Sequence, residues 1–477
     1  MLPETLFLTS AEILKIAFKS SQPTDLVLSK LLREKKYIGS KERRFVSESV
    51  YTILRNLTYL EKCSEAIFGN TEKESDIDNS TFHYTKLILS LLLISDNDSL
   101  GLNYNPNQLL IKVYPNTFTT IQSTIFSYLL KTNYLPIDEM PRWQDNCIKS
   151  VRELSAYFLN AAESNDSEYL SEAYSCPVWI LDNVEKSGFD RADFAKSLTV
   201  PAPVCLRVTD ISGIDAVAKM LDSRDIPYHY STMLKNCIIL DKRGRIDDSE
   251  EYLSGMFEVQ DEGSQLIAYS LAPEGAANIL DACAGAGGKT LQIANICPAA
   301  VQIVASDNEY LRLKELSKRL RRYNISNISI KHARTMEYES LDDLYGGRLF
   351  DYILIDAPCT GIGTARRDPL KKFRLTQKLV EKMQKKQLEI LAAYSRFVKP
   401  DGILLYATCS VLREENQDVV DIFLAENPEF EPDNLYDVFH KNDINPLGIK
   451  PDSFYQNLMP HIHSTDGFFM ARMRRVV

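Results

Sequence analysis

The chain is 477 residues long and acidic, with 65 Asp and Glu against 55 Lys and Arg and a net charge of −10. One hydrophobic core seldom serves so long a chain, so two or three domains are expected, and the acidic balance excludes a protein that coats nucleic acid through bulk charge. No apolar run approaches the roughly 20 residues of a membrane span, and the opening MLPETLFLTSAEILKIAF lacks the parts of a secretory signal, so a cytoplasmic protein without membrane contact is expected. The nine cysteines are scattered without a CxxC pair, which disfavours a disulfide framework or a zinc site; no metal is expected.

From Ser10 to about Lys149 apolar residues recur at helical spacing, as in AEILKIAF, LVLSKLLREKK, RRFVSESVYTILRNLTYLEK and TKLILSLLLI, and residues 1–150 are predicted to be an all-helical domain. Stretches rich in Asn, Asp and Pro (Asp76 to Ser80, Asp96 to Asn107, Leu135 to Pro141) are predicted loops. Over 165–255 the pattern changes to a helix in CPVWILDNVEKSGF, then strand, helix and strand in PVCLRV, GIDAVAKMLDSRDI and NCIILD, which predicts a small α/β middle domain.

Over 256–477 strands and helices alternate: NILDA, LQIANIC, VQIVASD, LRLKELSKRLRRY, ISIKHA, FDYILID, QKLVEKMQKKQLEILAAYSRFV and GILLYATC. Such alternation predicts an α/β domain built on a doubly wound parallel sheet.

In NILDACAGAGGKT an apolar strand meets a glycine turn that opens the next helix. Gly285, Gly287 and Gly288 permit close backbone approach, and the helix start offers free N–H groups, so Cys283, Ala284, Gly285, Ala286, Gly287, Gly288 and Lys289 form a candidate nucleotide-type cofactor turn. Gly288, Lys289 and Thr290 imitate the end of a P-loop, but that motif needs glycine where this chain has Cys283. Asp307, ending the next strand, is placed to accept hydrogen bonds from ribose hydroxyls; it also suits capping the helix that follows.

Two further strands lead to Cys359 and Cys409. Ligands of open parallel sheets bind at the strands' carboxyl ends, so both thiols should face the cofactor crevice. A single cysteine is more often a small buried hydrophobe, but two at equivalent strand ends beside a glycine turn point to chemistry. The reaction that needs a thiol there is methylation of a weakly nucleophilic ring carbon: a thiolate adds to carbon 6 of cytosine and makes carbon 5 enamine-like. Lys289 and Arg366 are candidates to favour the thiolate, and Asp356 could hydrogen-bond the cytosine, its bland alternative being a strand-end cap. Arg366, Arg367, Lys371 and Lys372, followed by Arg374, are candidate RNA-phosphate contacts, while Lys314, Lys318, Arg319, Arg321 and Arg322 read as a solvated helix face.

DACAGAGGKT, DAPCTGIGTARRDP, YATCSVLREEN and DGFFMARMRR, with VQDEGSQ before them, resemble the RsmB-type (Sun/Fmu) ribosomal RNA cytosine-5 methyltransferases from Phe257 onward. KERRFVSESVYTILRN resembles their NusB-like helical domain, and CPVWIL with PVCLRV their small RRM-like middle domain. The resemblance implies a Rossmann-like class I methyltransferase domain that uses S-adenosylmethionine, with ribosomal RNA preferred over transfer RNA as substrate. It also implies an order for the thiols: Cys409 as nucleophile, and Cys359 assisting release. By the same carry-over the turn from Cys283 to Lys289, Asp307 and Asp356 would contact the cofactor or the cytosine. Two departures stand out. Gly285 and Ala286 occupy the family's usual Ala-Pro, and His332, Ala333 and Arg334 stand where an acidic residue should reach the adenine. The rival readings are a non-catalytic RNA-binding ribosome-assembly factor that retains the fold and, more weakly, a methyltransferase acting on an exocyclic amine or a protein side chain.

Overall fold

Apolar residues three and four apart predict helices that bury one face each, and the N-terminal part forms them. The computed structural model describes residues 3–68, 165–274, 277–298, 300–335, 337–444 and 446–476. Helices α1 (Pro3–Lys19), α2 (Thr24–Glu34), α3 (Ser40–Arg55) and α4 (Leu57–Phe68) pack through Ile13, Leu14, Ala17, Val46, Val50, Ile53 and Leu60. The predicted TKLILSLLLI helix and the three predicted loops lie outside the described residues.

Three shorter helices follow: α5 (Ser167–Tyr174), α6 (Val178–Lys186) and α7 (Arg191–Ser197). Asp166 caps α5 by accepting from the Glu168 and Tyr169 N–H groups, and Asp190 caps α7 through the Asp193 N–H. One compact unit comprises Met1–Pro201 together with Ala365–Arg374, so α5 to α7 group with the N-terminal helices rather than with the α/β segment that follows.

The returning segment 365–374 supplies that unit with cations at helix C-termini, where carbonyls lack intrahelical partners and the helix dipole is negative. Arg374 donates to Ala17 O and Ser20 O at the end of α1, and Lys372 Nζ donates to Arg55 O, ending α3, and to Tyr174 O, ending α5. Thr24 Oγ1 at the start of α2 donates to Asp368 Oδ1 at 2.7 Å.

The second unit comprises Ala202–Thr364 and Leu375–Val477. Its first part is an antiparallel sheet in the order β2-β3-β1-β4, from β1 (Val204–Val208), β2 (Tyr228–Tyr230), β3 (Cys237–Leu240) and β4 (Phe257–Val259), with α8 (Ile214–Ser223). The strand, helix and strand predicted here are present. Strand β4, placed by sequence with the following domain, pairs instead with β1, Leu206 facing Val259.

The main sheet follows α9 (Glu262–Leu271) and begins β5 (Asn278–Asp281), α10 (Gly288–Ile296), β6 (Gln302–Asp307), α11 (Tyr310–Tyr323), β7 (Ile328–His332), α12 (Tyr338–Tyr345) and β8 (Phe350–Asp356). It continues through α13 (Gln377–Ser395), β9 (Val398–Thr408), α14 (Gln417–Glu426), β10 (Phe430–Pro432), α15 (Leu435–Lys441), β11 (Tyr455–Leu458) and β12 (Phe468–Arg475). The order is β10-β12-β9-β8-β5-β6-β7, with β11 on β12. Strands β7, β6, β5, β8 and β9 are parallel, and the order reverses between β5 and β8, which opens a crevice at their carboxyl ends.

The sheet is mixed rather than wholly parallel, because DGFFMARMRR forms β12, antiparallel to β9. The α13 helix stops at Ser395, short of the predicted Val398, which already pairs with Phe350 of β8. Asp401, at φ 61°, lies in the left-handed region within the KPDG stretch, where the β8–β9 register shifts. One cluster joins the two sheets, Cys205 and Cys237 meeting Leu266, Leu271 and Ile279, while the small sheet has a core of its own through Leu206, Val208, Val217 and Phe257. Among the described residues no helix is long and apolar enough to cross a membrane.

Lys372→Ala would leave the Arg55 and Tyr174 carbonyls without this donor, a cost of about 1–3 kcal/mol. The thermal midpoint followed by circular dichroism should fall; an unmoved midpoint would show that these capping bonds contribute nothing.

Candidate active site

The central strands β5 and β8 end side by side, and each delivers an aspartate and then a cysteine. After Asp281 the chain turns through Cys283 to Gly287 and enters α10. Gly287 has φ 87°, and a Cβ there would overlap Leu316 Cδ1, so only glycine lets the turn close against α11. The buried Asp281 accepts from Thr290 Oγ1 at 2.6 Å, while its Oδ1 has no hydrogen-bond partner. Burial pushes this carboxyl up to about 7, the Thr290 hydrogen bond opposing and the Asp356 charge adding to the shift.

Asp307, ending β6, accepts from the Gly285 N–H at 2.8 Å and from the Glu309 N–H at 2.7 Å. It therefore braces the glycine turn and the entry to α11 together. At the end of β7 the His332 ring nitrogen lies 3.1 Å from Asn308 O, and Ala333 N–H donates to Asp307 O.

Lys289, second in α10, places Nζ 2.6 Å from Asp356 Oδ2. Burial would lower the pKa of its ammonium, but the Asp356 charge and hydrogen bond outweigh burial and leave it raised. Past β8 and β9, Cys359 Sγ and Cys409 Sγ are 3.4 Å apart. The hydrogen bond to Cys409, then burial, hold the Cys359 thiol well above the ordinary range.

Two contacts maintain that approach. Gly363 N–H donates to Cys409 O, and Gly467 N–H donates to Gly363 O; a Cβ on Gly363 would overlap the Gly467 carbonyl, so both glycines of this crossing are required. The other is the fully buried carboxylate of Glu415. It accepts from Thr360 N–H (2.8 Å) and Oγ1 (2.5 Å) in the Cys359 loop, from Ser410 Oγ (2.5 Å) beside Cys409, and from Gln387 Nε2 (3.2 Å) on α13. Sequence reading missed Glu415 and Gln387; the only available signal was an acidic residue six positions past a strand-end cysteine.

The structure thus brings Cys283 to Lys289, Asp307, Asp356, Cys359 and Cys409 to one crevice. It does not leave all the proposed RNA cations free. Arg366 is 6% and Lys372 1% exposed, with Arg366 Nη2 donating to Pro201 O and Lys372 to helix-end carbonyls. Their charges are committed inside the protein, which corrects the phosphate role expected of both and the thiolate-favouring role expected of Arg366. Arg367 and Lys371 are half-buried. Of the predicted solvated face on α11, Arg319 and Arg322 pair with the buried Glu258, whereas Lys318 pairs with Glu315 at the surface.

Glu415→Ala should lower the unfolding free energy by about 2–5 kcal/mol, since several buried donors lose their acceptor together, as read by urea denaturation. For Asp281 the folded pKa lies above the unfolded one, so the folded state binds the extra proton and stability falls as pH rises from about 4 to 7. Asp281→Asn should flatten that slope in denaturation curves taken across the range; an equally steep slope would remove Asp281 as its source.

Residues 268–474, from within α9 to β12, match the family described as 16S rRNA methyltransferase RsmB/F. A probable ribosomal RNA small subunit methyltransferase B of Bacillus subtilis is 30% identical over 312 residues, 64% of this chain and 68% of the relative. A mouse 28S rRNA (cytosine-C(5))-methyltransferase is 30% identical over 297 residues, 59% of this chain but 36% of the relative. The crystal structure of PH0851 superposes with a TM-score of 0.70 at 23% identity, covering 100% of this chain and 99% of that one, which establishes a shared fold. Agreement over the whole Rossmann-like sheet, joined to 30% identity across two thirds of a relative, shows that the chain belongs to the RsmB/F family of ribosomal RNA methyltransferases.

Proposed function

We propose that this methyltransferase places a methyl on carbon 5 of a cytosine in ribosomal RNA, in the cytoplasm, with S-adenosylmethionine as donor, Cys409 as nucleophile and Cys359 assisting release. In this reading the N-terminal helices are a NusB-like domain, the sheet of β1 to β4 with α8 an RRM-like middle domain, and the main sheet with its helices the catalytic domain. The observation that carries it is the pair of sulfurs 3.4 Å apart at the ends of adjacent strands, beside the glycine turn.

The residues present fit the cofactor: the turn exposes backbone at Gly285 and Gly288, where a Cβ would meet open space or little else, and Asp281 Oδ1 is an unused acceptor at its base. When bound, S-adenosylmethionine supplies an electrophilic methyl group. Cys359 keeps its own proton, Cys409 gives its proton to solvent, and the Lys289 ammonium, which interacts with the Cys409 charge, favours the resulting thiolate. Cys409 Sγ then bonds to carbon 6, and the electron pair of the 5,6 double bond becomes available at carbon 5. Asp356, held by Lys289, is the acceptor for the cytosine amine. After methyl transfer Cys359 takes the carbon 5 proton as it passes its own to solvent, the electron pair of that carbon–hydrogen bond restores the 5,6 double bond, the sulfur–carbon 6 bond breaks, and the thiolate returns to Cys409.

Incubating wild type, Cys359→Ala and Cys359→Ala/Cys409→Ala with total RNA and S-adenosylmethionine tests the assignment. A covalent protein–RNA species should accumulate on denaturing gels for Cys359→Ala and disappear in the double variant. RNA binding without any adduct or methyl transfer would favour the assembly-factor reading.

A further inference from the structure

With Arg366 and Lys372 committed to internal carbonyls, the crevice needs other cations if a polyanion is to lie across it. Helix α13 carries them. Gln387 Nε2 donates to Pro358 O at 3.1 Å, which sets that point of the helix level with the end of β8. The helix begins ten residues earlier, at Gln377, so about 15 Å of it extends past the strand ends at 1.5 Å per residue. On this overhang stand Lys378, Lys382, Lys385 and Lys386, all exposed. At 3.6 residues per turn the four fall within about 100° of arc, a single face.

Two observations separate this row from an ordinary solvated helix face. Among the described residues none of the four lysines forms an ion pair; other exposed lysines, Lys186, Lys196 and Lys219 among them, are unpaired too, but these four stand together on one face, an unneutralised row in a chain whose net charge is −10. Its inner end adjoins Gln387, whose side chain donates to Pro358 O next to Cys359, and the Lys386 charge opposes the upward push of burial and the nearby carboxylates on the Cys283 thiol. Of the acidic residues on the helix, Glu381 lies at the edge of the face and Glu389 beyond Gln387, below the overhang.

We propose that the N-terminal half of α13 is an RNA-backbone surface, on which Lys378, Lys382, Lys385 and Lys386 neutralise phosphates flanking the nucleotide delivered to Cys409. This rests on the RNA-methyltransferase reading above. The contacts would hold and orient the strand without reading its sequence.

The test uses the full chain and a fluorescein-labelled, mixed-sequence single-stranded RNA, with affinity measured by anisotropy across a potassium chloride series. Lys378→Gln/Lys382→Gln/Lys385→Gln should weaken binding about tenfold and reduce the slope of log affinity against log salt by about 2, since each phosphate contact on a single strand contributes about 0.7. The corresponding triple Lys→Arg variant should restore both values, and Lys318→Gln, on the ion-paired α11 lysine, should move neither. If the Gln variant binds RNA with wild-type affinity and salt slope, the surface is refuted even while methyl transfer proceeds. If wild type fails to methylate but the Gln variant loses RNA affinity and salt slope, the surface stands and the catalytic reading falls.

Discussion

The active site depends on one buried carboxylate. Glu415 collects donors from the Cys359 loop, from the residue after Cys409 and from α13, so three separate stretches meet at its two oxygens. A buried anion is tolerated only when its lone pairs are well used, and this one is used from several directions. The consequence is geometric: loops leaving β8 and β9 would otherwise be free to diverge, but here their thiols stand within hydrogen-bonding distance.

Around that clamp the charges are divided by task. Asp307 braces the glycine turn, Asp356 anchors Lys289, and Asp281 lies beneath the turn with burial pulling it toward its neutral form. Cys359, hydrogen-bonded to Cys409 and buried, is held well above the ordinary thiol range.

Cations serve two purposes in this acidic chain. Those of segment 365–374 satisfy the carbonyl ends of α1, α3 and α5, where the helix dipole and the orphan acceptors both favour them. In one dimension such a run is indistinguishable from a phosphate-binding loop: RRDPLKKFR has the composition of either. The exposed lysines of the N-terminal half of α13 meet no carboxylate among the described residues and extend past the sheet.

The alternation of apolar runs with glycine turns by itself determined the parallel strands β5 to β9, the position of the glycine turn after β5 and the placing of both cysteines at strand ends, because side-chain period and turn chemistry are local properties. The helical nature of residues 10–68 was equally legible from spacing. What only the tertiary structure decided was long-range: that β12 enters the sheet antiparallel, that β4 belongs with β1, that Arg366 and Lys372 face inward, and that Glu415 joins two loops. Each of these depends on which distant segment supplies a partner for a backbone edge or a buried charge, and no periodicity along the chain encodes that choice.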